Sequence, residues 1–257
     1  MRTNKLVSVI MPSYNCGHFV EETIRSVQDQ TYKNWEIIFV DDCSKDDTYA
    51  LVSKLAEEDA RIKLYRNTVN SGAAVSRNKA LQMAKGQWIA FLDSDDLWEP
   101  TKLEKQIRFM EDNRYAFSYT NYQEMDENSI LTGVTVSGPK HISRLGMYAY
   151  CWPGCLTVMY DAEKIGLVQI ADIKKNNDYA LWLKVCRKAD CHLLNECLAS
   201  YRKRMGSISH HSYLSLIKWH FRLFNVAEGM GRPASAVMTV VNLFFGVAKK
   251  LFYVKKT

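Results

Sequence analysis

The sequence predicts an α/β fold, a mostly parallel sheet flanked by helices on both faces, followed by a helical C-terminal extension. Three observations predict it. Strand-like and helical patterns alternate three times between residues 6 and 96. Polar clusters fall at the ends of three of those strands, where a parallel sheet opens its ligand crevice. Positive charge gathers in the tail: residues 201–257 hold ten Lys or Arg against one acid, Glu228, while all 257 residues together net only +6.

Residues 6–15 (LVSVIMPSYN), 35–42 (WEIIFVDD), 61–67 (RIKLYRN) and 87–96 (QWIAFLDSDD) are short and rich in β-branched and aromatic residues, as buried strands are. Between them Phe19, Ile24 and Val27, then Leu51, Val52 and Leu55, then Val75, Ala80, Leu81 and Met83 recur near helical spacing. Strands joined this way lie parallel, with the helices covering both faces. After Pro100 the segment TKLEKQIRFMEDN reads as an amphipathic helix, and residues 116–125 and 130–138 as strands added antiparallel. Residues 150–160 are apolar and aromatic, and IKKNNDYALWLKV reads as a buried helix opened by Asn177 or Asp178.

Composition narrows the class. With 47% hydrophobic and 24% charged residues the chain can bury a core without staples. Seven scattered cysteines, with no CxxC pair and no histidine at zinc-ligand spacing, read as buried reduced thiols. The opening residues lack a charged segment followed by an apolar one, so a cytoplasmic location is expected. Neither GxxxxGK[ST] nor GxGxxG occurs, which excludes a Walker loop and a dinucleotide fingerprint. No nucleic-acid partner is expected.

The stretch IAFLDSDDLW places Asp93, Asp95 and Asp96 within four residues. Carboxylates that close repel one another, so a positive group is expected among them. Asp93 and Asp95 can reach one hard cation while the chain turns, and Mg²⁺ or Mn²⁺ accepts one or two carboxylates completed by water and substrate phosphates. Tyr14 offers an aromatic face for a base, Asp42 an acceptor for a base N–H, and Arg77 a guanidinium for a diphosphate. Each also has a structural reading: Tyr14 as core, Asp42 as a turn residue, Arg77 as a solvated helix residue. Asp46 or Asp47 reads as the cap of the following helix.

In their order and spacing, VSVIMPSYN, EIIFVDDCSKDDT, RNTVNSGAAVSRNKAL and AFLDSDDLWEP resemble the family 2 glycosyltransferases, inverting enzymes of the GT-A fold. The resemblance covers residues 5–205. NNDYALWLKV and LASYRKRMGSIS are similar to the second half of bacterial members that build surface polysaccharides of the teichuronic-acid and O-antigen type. The resemblance implies transfer of one sugar from a nucleotide diphosphate, usually UDP-linked, to an acceptor hydroxyl, here a lipid-linked saccharide. It implies a catalytic unit over 1–205, with a nucleotide-binding half (1–98) and an acceptor half (99–205), and an extension over 206–257. Residue by residue it implies a metal on Asp95 and Asp93, with Asp93 also near the ribose. Pro12, Ser13, Tyr14, Asn15, Asp42, Arg77 and Ser94 would line the sugar nucleotide, and Asp178 would be the general base. The residue before that base is commonly Glu or Gly and here is Asn177. A QxxRW signature is missing, which favours single addition over polymerisation. Asp178 should profit as a base from partial burial near Trp152 and Trp182; its structural alternative is the N-cap of ALWLKV. His210 and His211 read as surface residues of the basic tail or as neighbours of the metal.

In the tail, residues 234–248 carry no charge and KKLFYVKK follows. Val237, Val240, Val241, Phe244, Ala248, Leu251 and Phe252 form one stripe, with Thr239, Asn242, Gly246, Lys249 and Lys250 on other faces. The uncharged run falls short of the roughly 20 residues that span a bilayer. An interfacial helix on the inner face of the cell membrane, its lysines meeting anionic lipid, is the expectation; a core helix or a homodimer contact is the alternative. Two rival functions remain at this level. One is metal-dependent nucleotidyl transfer, the other a catalytically silent sugar-nucleotide-binding protein.

Overall fold

The computed structural model describes residues 5–204 and 213–256. His210 and His211 lie outside the described residues. The first part alternates as expected: β1 (Val7–Ser13), α1 (Val20–Gln28), β2 (Trp35–Asp41), α2 (Thr48–Glu58), β3 (Ile62–Arg66), α3 (Ala73–Met83) and β4 (Trp88–Phe91). Strands β3, β2, β1 and β4 lie side by side and parallel. Every residue of β1, β2 and β4 is buried. Both faces must therefore be covered. Val9 and Met11 point to one side, against Ile24 of α1 and Val52 of α2, while Ile10 points to the other, against Ala80 and Leu81 of α3.

Beyond β4 the sheet becomes mixed. The elements there are β5 (Leu97–Trp98), α4 (Lys102–Asn113), β6 (Phe117–Met125), β7 (Leu131–Val136), β8 (His141–Ile142), α5 (Arg144–Ala149), β9 (Met159–Asp161), α6 (Ala162–Ile165), α7 (Asn177–Val185) and β10 (Cys191–Arg202). β9 pairs antiparallel with both β4 and β6, and β7 antiparallel with β6. β10 runs parallel to β6 with two register shifts, so its carboxyl end arrives beside the Asp93–Asp96 turn. Sequence pattern did not announce this strand. α7 begins at Asn177, one of the two expected residues, and Asn176 precedes it with a left-handed φ of 57° and no side-chain cap.

The extension comprises α8 (Tyr213–Arg222), α9 (Arg232–Phe252) and β11 (Val254–Lys256), the last paired with β7. α9 packs with its polar side inward. Ser235, Thr239 and Asn242 are its buried residues, and Asn242 Nδ2 donates to the Tyr179 hydroxyl at 2.7 Å and to the Ala149 carbonyl at 3.1 Å. Lys249 Nζ donates to the Trp152 carbonyl at 2.8 Å. Lys249 thus turns into the protein, against the expectation that it meets lipid, because the inward side of α9 is the one that carries its hydrogen-bonding groups. Glu228, just before α9 and with its side chain covered, accepts from Arg187 at 2.5 Å and from the Tyr148 hydroxyl. The opposite side of α9 is bare: Val240, Phe244, Leu251 and Phe252 are each about 70% exposed. By length and composition α9 is sufficient to cross a bilayer, contrary to the expected shortfall, because the helix runs on through Lys249 and Lys250 to Phe252.

Candidate active site

The site grows from the carboxyl ends of β1, β2 and β4. Ser13 and Asp41 are in register at the ends of β1 and β2, and the Ser13 carbonyl accepts from Asp42 N at 2.8 Å. The chain then turns through Asn15 with φ of 51°, whose Oδ1 accepts from Lys45 N and whose own N–H donates to Ser44 Oγ, both at 2.9 Å. These bonds tie the loop after β1 to the loop after β2. Pro12 and Ser13 are buried beneath it, and Tyr14 stands 40% exposed at the rim rather than in the core. Capping of α2 falls to Asp46, which accepts from Thr48 N at 3.1 Å and from Gly17 N at 3.0 Å.

Asp42 is buried, and its carboxylate is largely used by the chain. Oδ1 accepts from Asn67 Nδ2 at 2.7 Å and Ser71 N at 2.9 Å, and Oδ2 accepts from Gly72 N at 2.7 Å. Gly72 has φ of 88°, a conformation that favours glycine and turns its N–H toward the acid at the head of α3. Asp42 therefore anchors the helix that carries Arg77.

Arg77 is buried, not solvated. Its guanidinium donates to Asn177 Oδ1 at 2.6 Å and pairs with Asp93, linking three segments far apart in sequence. Asn177 supplies a neutral acceptor to that guanidinium. Asp93 thus has the positive neighbour the clustered carboxylates required. Asp95 has another, since Arg204 Nε lies 2.8 Å from its Oδ2. Ser94 is buried between them, and Asp96 accepts from Arg202 N at 2.8 Å. Arg202, fully buried, also donates to the Asp95 carbonyl at 2.7 Å and to Glu22 at 2.7 Å. Arg202 and Arg204 were given no role at the sequence level; the concentration of three bases in the run YRKR is the signal that could have found them.

The electrostatics of the turn are uneven. Burial pushes the Asp96 carboxyl well above the usual carboxylate range, with Asp95 and Asp93 adding to the shift. Burial also raises Asp95, opposed by Arg204. The three carboxylates of the turn are met by three guanidiniums, from Arg77, Arg202 and Arg204, and burial is the first cause of the upward shifts. Among the described residues no group of three or more His, Cys, Asp or Glu side chains converges on one metal position. Asp93 and Asp95 fit the alternative, an open site of two carboxylates in which Mg²⁺ or Mn²⁺ retains water and takes up substrate phosphate.

Asp178 sits in the first turn of α7, one residue past its start, half-buried and making no cap. It is not the helix cap. It faces a cleft of about 500 Å³ that Arg77, Asp93 and Asp96 also line. Trp182, one turn further on, packs edge-on against Phe91 at 5.0 Å and fixes the helix to the sheet. Asp42 and Asp95 are not among the residues that line it.

A family model described as glycosyl transferase family 2 matches residues 8–143, more than half of the chain. The chain belongs to glycosyl transferase family 2. Among curated members of this family it is 42% identical over 217 residues, 84% of this chain and 86% of the other, to the candidate teichuronic acid biosynthesis glycosyltransferase TuaG of Bacillus subtilis. It is 41% identical over 231 residues to the UDP-Glc:alpha-D-GlcNAc-diphosphoundecaprenol beta-1,3-glucosyltransferase WfaP of Escherichia coli, covering 90% of this chain and 88% of that one. The crystal structure of S. aureus TarS 1-349 in complex with UDP-GlcNAc superposes with a TM-score of 0.73 at 19% identity, over 96% of this chain and 73% of that one. That likeness establishes the GT-A-type fold of this family 2 glycosyltransferase.

Proposed function

We propose that this glycosyltransferase moves a single sugar, with inversion, from a UDP-sugar to a hydroxyl of a lipid-linked saccharide in bacterial surface-polysaccharide synthesis. The observation that carries the reading is the cleft in which Asp178 and the Arg77–Asp93 pair face one space at the mouth of the sheet. Identity above 40% to TuaG and WfaP over most of both chains supports the acceptor class. In this reading Pro12, Ser13, Tyr14, Asn15 and Asp42 receive the nucleoside, and Arg77 and Ser94 border the diphosphate. Residues 1–98 serve the donor, 99–205 the acceptor and 206–257 the membrane-facing extension.

Asp93 and Asp95 would hold Mg²⁺ or Mn²⁺, which when bound neutralises charge on the departing diphosphate. The remaining work belongs to side chains. Asp178 accepts the proton of the acceptor hydroxyl as that oxygen attacks the anomeric carbon opposite the leaving group. Arg77, held between Asn177 and Asp93, keeps the base and the acidic turn at a set separation.

The bare side of α9 and the exposed Lys250, Lys255 and Lys256 are read as a peripheral contact with the inner face of an anionic membrane. A second copy of the chain is the competing occupant. The protein is incubated with UDP-, GDP- and dTDP-sugars and Mn²⁺, and nucleotide release is measured for wild type and Asp178→Asn. UDP release by wild type, lost in Asp178→Asn while UDP still binds, is expected. Pyrophosphate release would instead indicate nucleotidyl transfer, and turnover by Asp178→Asn would remove the base assignment.

A further inference from the structure

The cleft that Asp178 faces has a second, basic pole. Besides Asp93 and Asp178 it is lined by Lys174, Lys175, His220 and Lys249. His220 comes from α8 and Lys249 from α9, so the extension supplies part of the wall. Lys249 is the most telling of the four. Its stem passes Tyr150, with Nζ 5.4 Å from the ring centre, and Nζ donates to the Trp152 carbonyl at 2.8 Å. An ammonium has three donors, and among the described residues no carboxylate lies within ion-pair distance of this one. Burial lowers its pKa to about 8. The fold thus keeps a partly buried ammonium whose contacts, the Trp152 carbonyl and the Tyr150 ring, are neutral. His220 is also buried, with Nδ1 bonded to the Leu216 carbonyl at 2.9 Å, leaving its other ring nitrogen for the cleft. Lys175 Nζ lies 5.9 Å from the ring of Trp219.

The acidic pole is already suited to the nucleotide diphosphate through Asp93 and Asp95 and a cation. A second anion is left to fill the basic pole. Its nature follows from the elements that build it: α9 turns Lys249 inward and Val240, Phe244 and Leu251 outward, and Ile217 of α8 is 44% exposed. A ligand with a phosphate head and an apolar tail could place the first in the cleft and the second along those helices.

We propose that Lys249, with Lys174, Lys175 and His220, forms a subsite for a diphosphate joined to an apolar chain, the anchor of the acceptor saccharide. The inference rests on the acceptor class proposed above and assigns residues to its charged group. The subsite separates the two diphosphates of the reaction, the donor's at the Asp93–Asp95 turn and the acceptor's on the extension. Lys249 is a binding residue here and takes no part in proton transfer.

The test titrates the full chain, with and without saturating UDP and Mn²⁺, with farnesyl diphosphate and with inorganic pyrophosphate as probes. Wild type should bind both in the presence of UDP, farnesyl diphosphate more tightly. Lys249→Gln should weaken both by about tenfold or more, and Lys249→Arg should restore binding to within about threefold, as expected for a charge-assisted contact. Lys174→Gln, at an exposed position, is the second variant, with a loss of about threefold expected. Probe binding that vanishes once UDP is added places the anion in the donor site and overturns the proposal, as does unchanged affinity in Lys249→Gln and Lys174→Gln. If UDP itself fails to bind, the proposed function falls, and the same variants without UDP still decide the subsite.

Discussion

The sheet half and the C-terminal helix bury opposite kinds of side chain. Around β1, β2 and β4 the interior is Val, Ile, Phe and Trp, and polar groups collect at the strand ends. On α9 the interior is Ser235, Thr239 and Asn242, with Phe244, Leu251 and Phe252 turned out. The first arrangement is what water imposes on a chain. The second suits a helix whose outer side meets an apolar neighbour, as proposed above. Where an apolar stripe points therefore depends on the phase beyond it, and the hydrogen-bonding residues reveal which side is protein.

The contrast is broken most directly by truncating one phenylalanine in each region. Phe91→Ala, in the sheet, should cost about 3–5 kcal/mol, and Phe244→Ala, on α9, within about 0.5 kcal/mol, measured by urea unfolding. Equal losses would mean that Phe244 is covered in the native molecule. Replacing Phe244, Leu251 and Phe252 together with Ser should lower affinity for vesicles containing anionic lipid by about a hundredfold, with the melting temperature nearly unchanged. If vesicle binding persists and the protein instead changes from dimer to monomer in sedimentation, the helix pairs with its own copy.

The inward side of α9 is tested by Asn242→Leu. It should destabilise by about 1–3 kcal/mol, because the Tyr179 hydroxyl and the Ala149 carbonyl each lose a partner. A neutral result would deny that polar contacts hold the extension.

A pH-dependent effect concerns Lys102, buried beside Trp98 with Nζ bonded to Gln106 Oε1 at 2.8 Å. Burial lowers its pKa to about 7 from 10.5. The unfolded chain binds this proton between those values and the folded chain does not, so stability should rise with pH from about 7 to about 10. The limiting slope is about 1.4 kcal/mol per pH unit. Lys102→Met should lack that slope, and parallel pH profiles for the two proteins would remove the assignment.

Much of the fold was legible because local period and burial agree there. β1, β2, β4 and the helices between them follow from runs of Val, Ile and Phe bounded by polar turns. The gathering of Asp93 and Arg77 at one mouth was legible from the position of polar residues at strand ends. Other features depend on distance in the chain. Arg77 to Asn177, Arg202 to Asp96 and Asn242 to Tyr179 are contacts across 100, 106 and 63 residues, and each side chain reads locally as an ordinary solvated group. β10 escaped notice because two register shifts interrupt its alternation. Lys249 was misplaced because helical spacing gives the sides of α9 but not which of them meets the protein.

The three residues of β11 also do something for β7 beyond holding α9 in place. They satisfy main-chain groups along a strand that would otherwise be the open border of the sheet. Removing the tail would thus uncover a template for strand addition at the same time as it removed the proposed lipid contact, and a truncated protein that clumps would say little about membranes. Point substitutions on the outer side of α9 leave that border sealed.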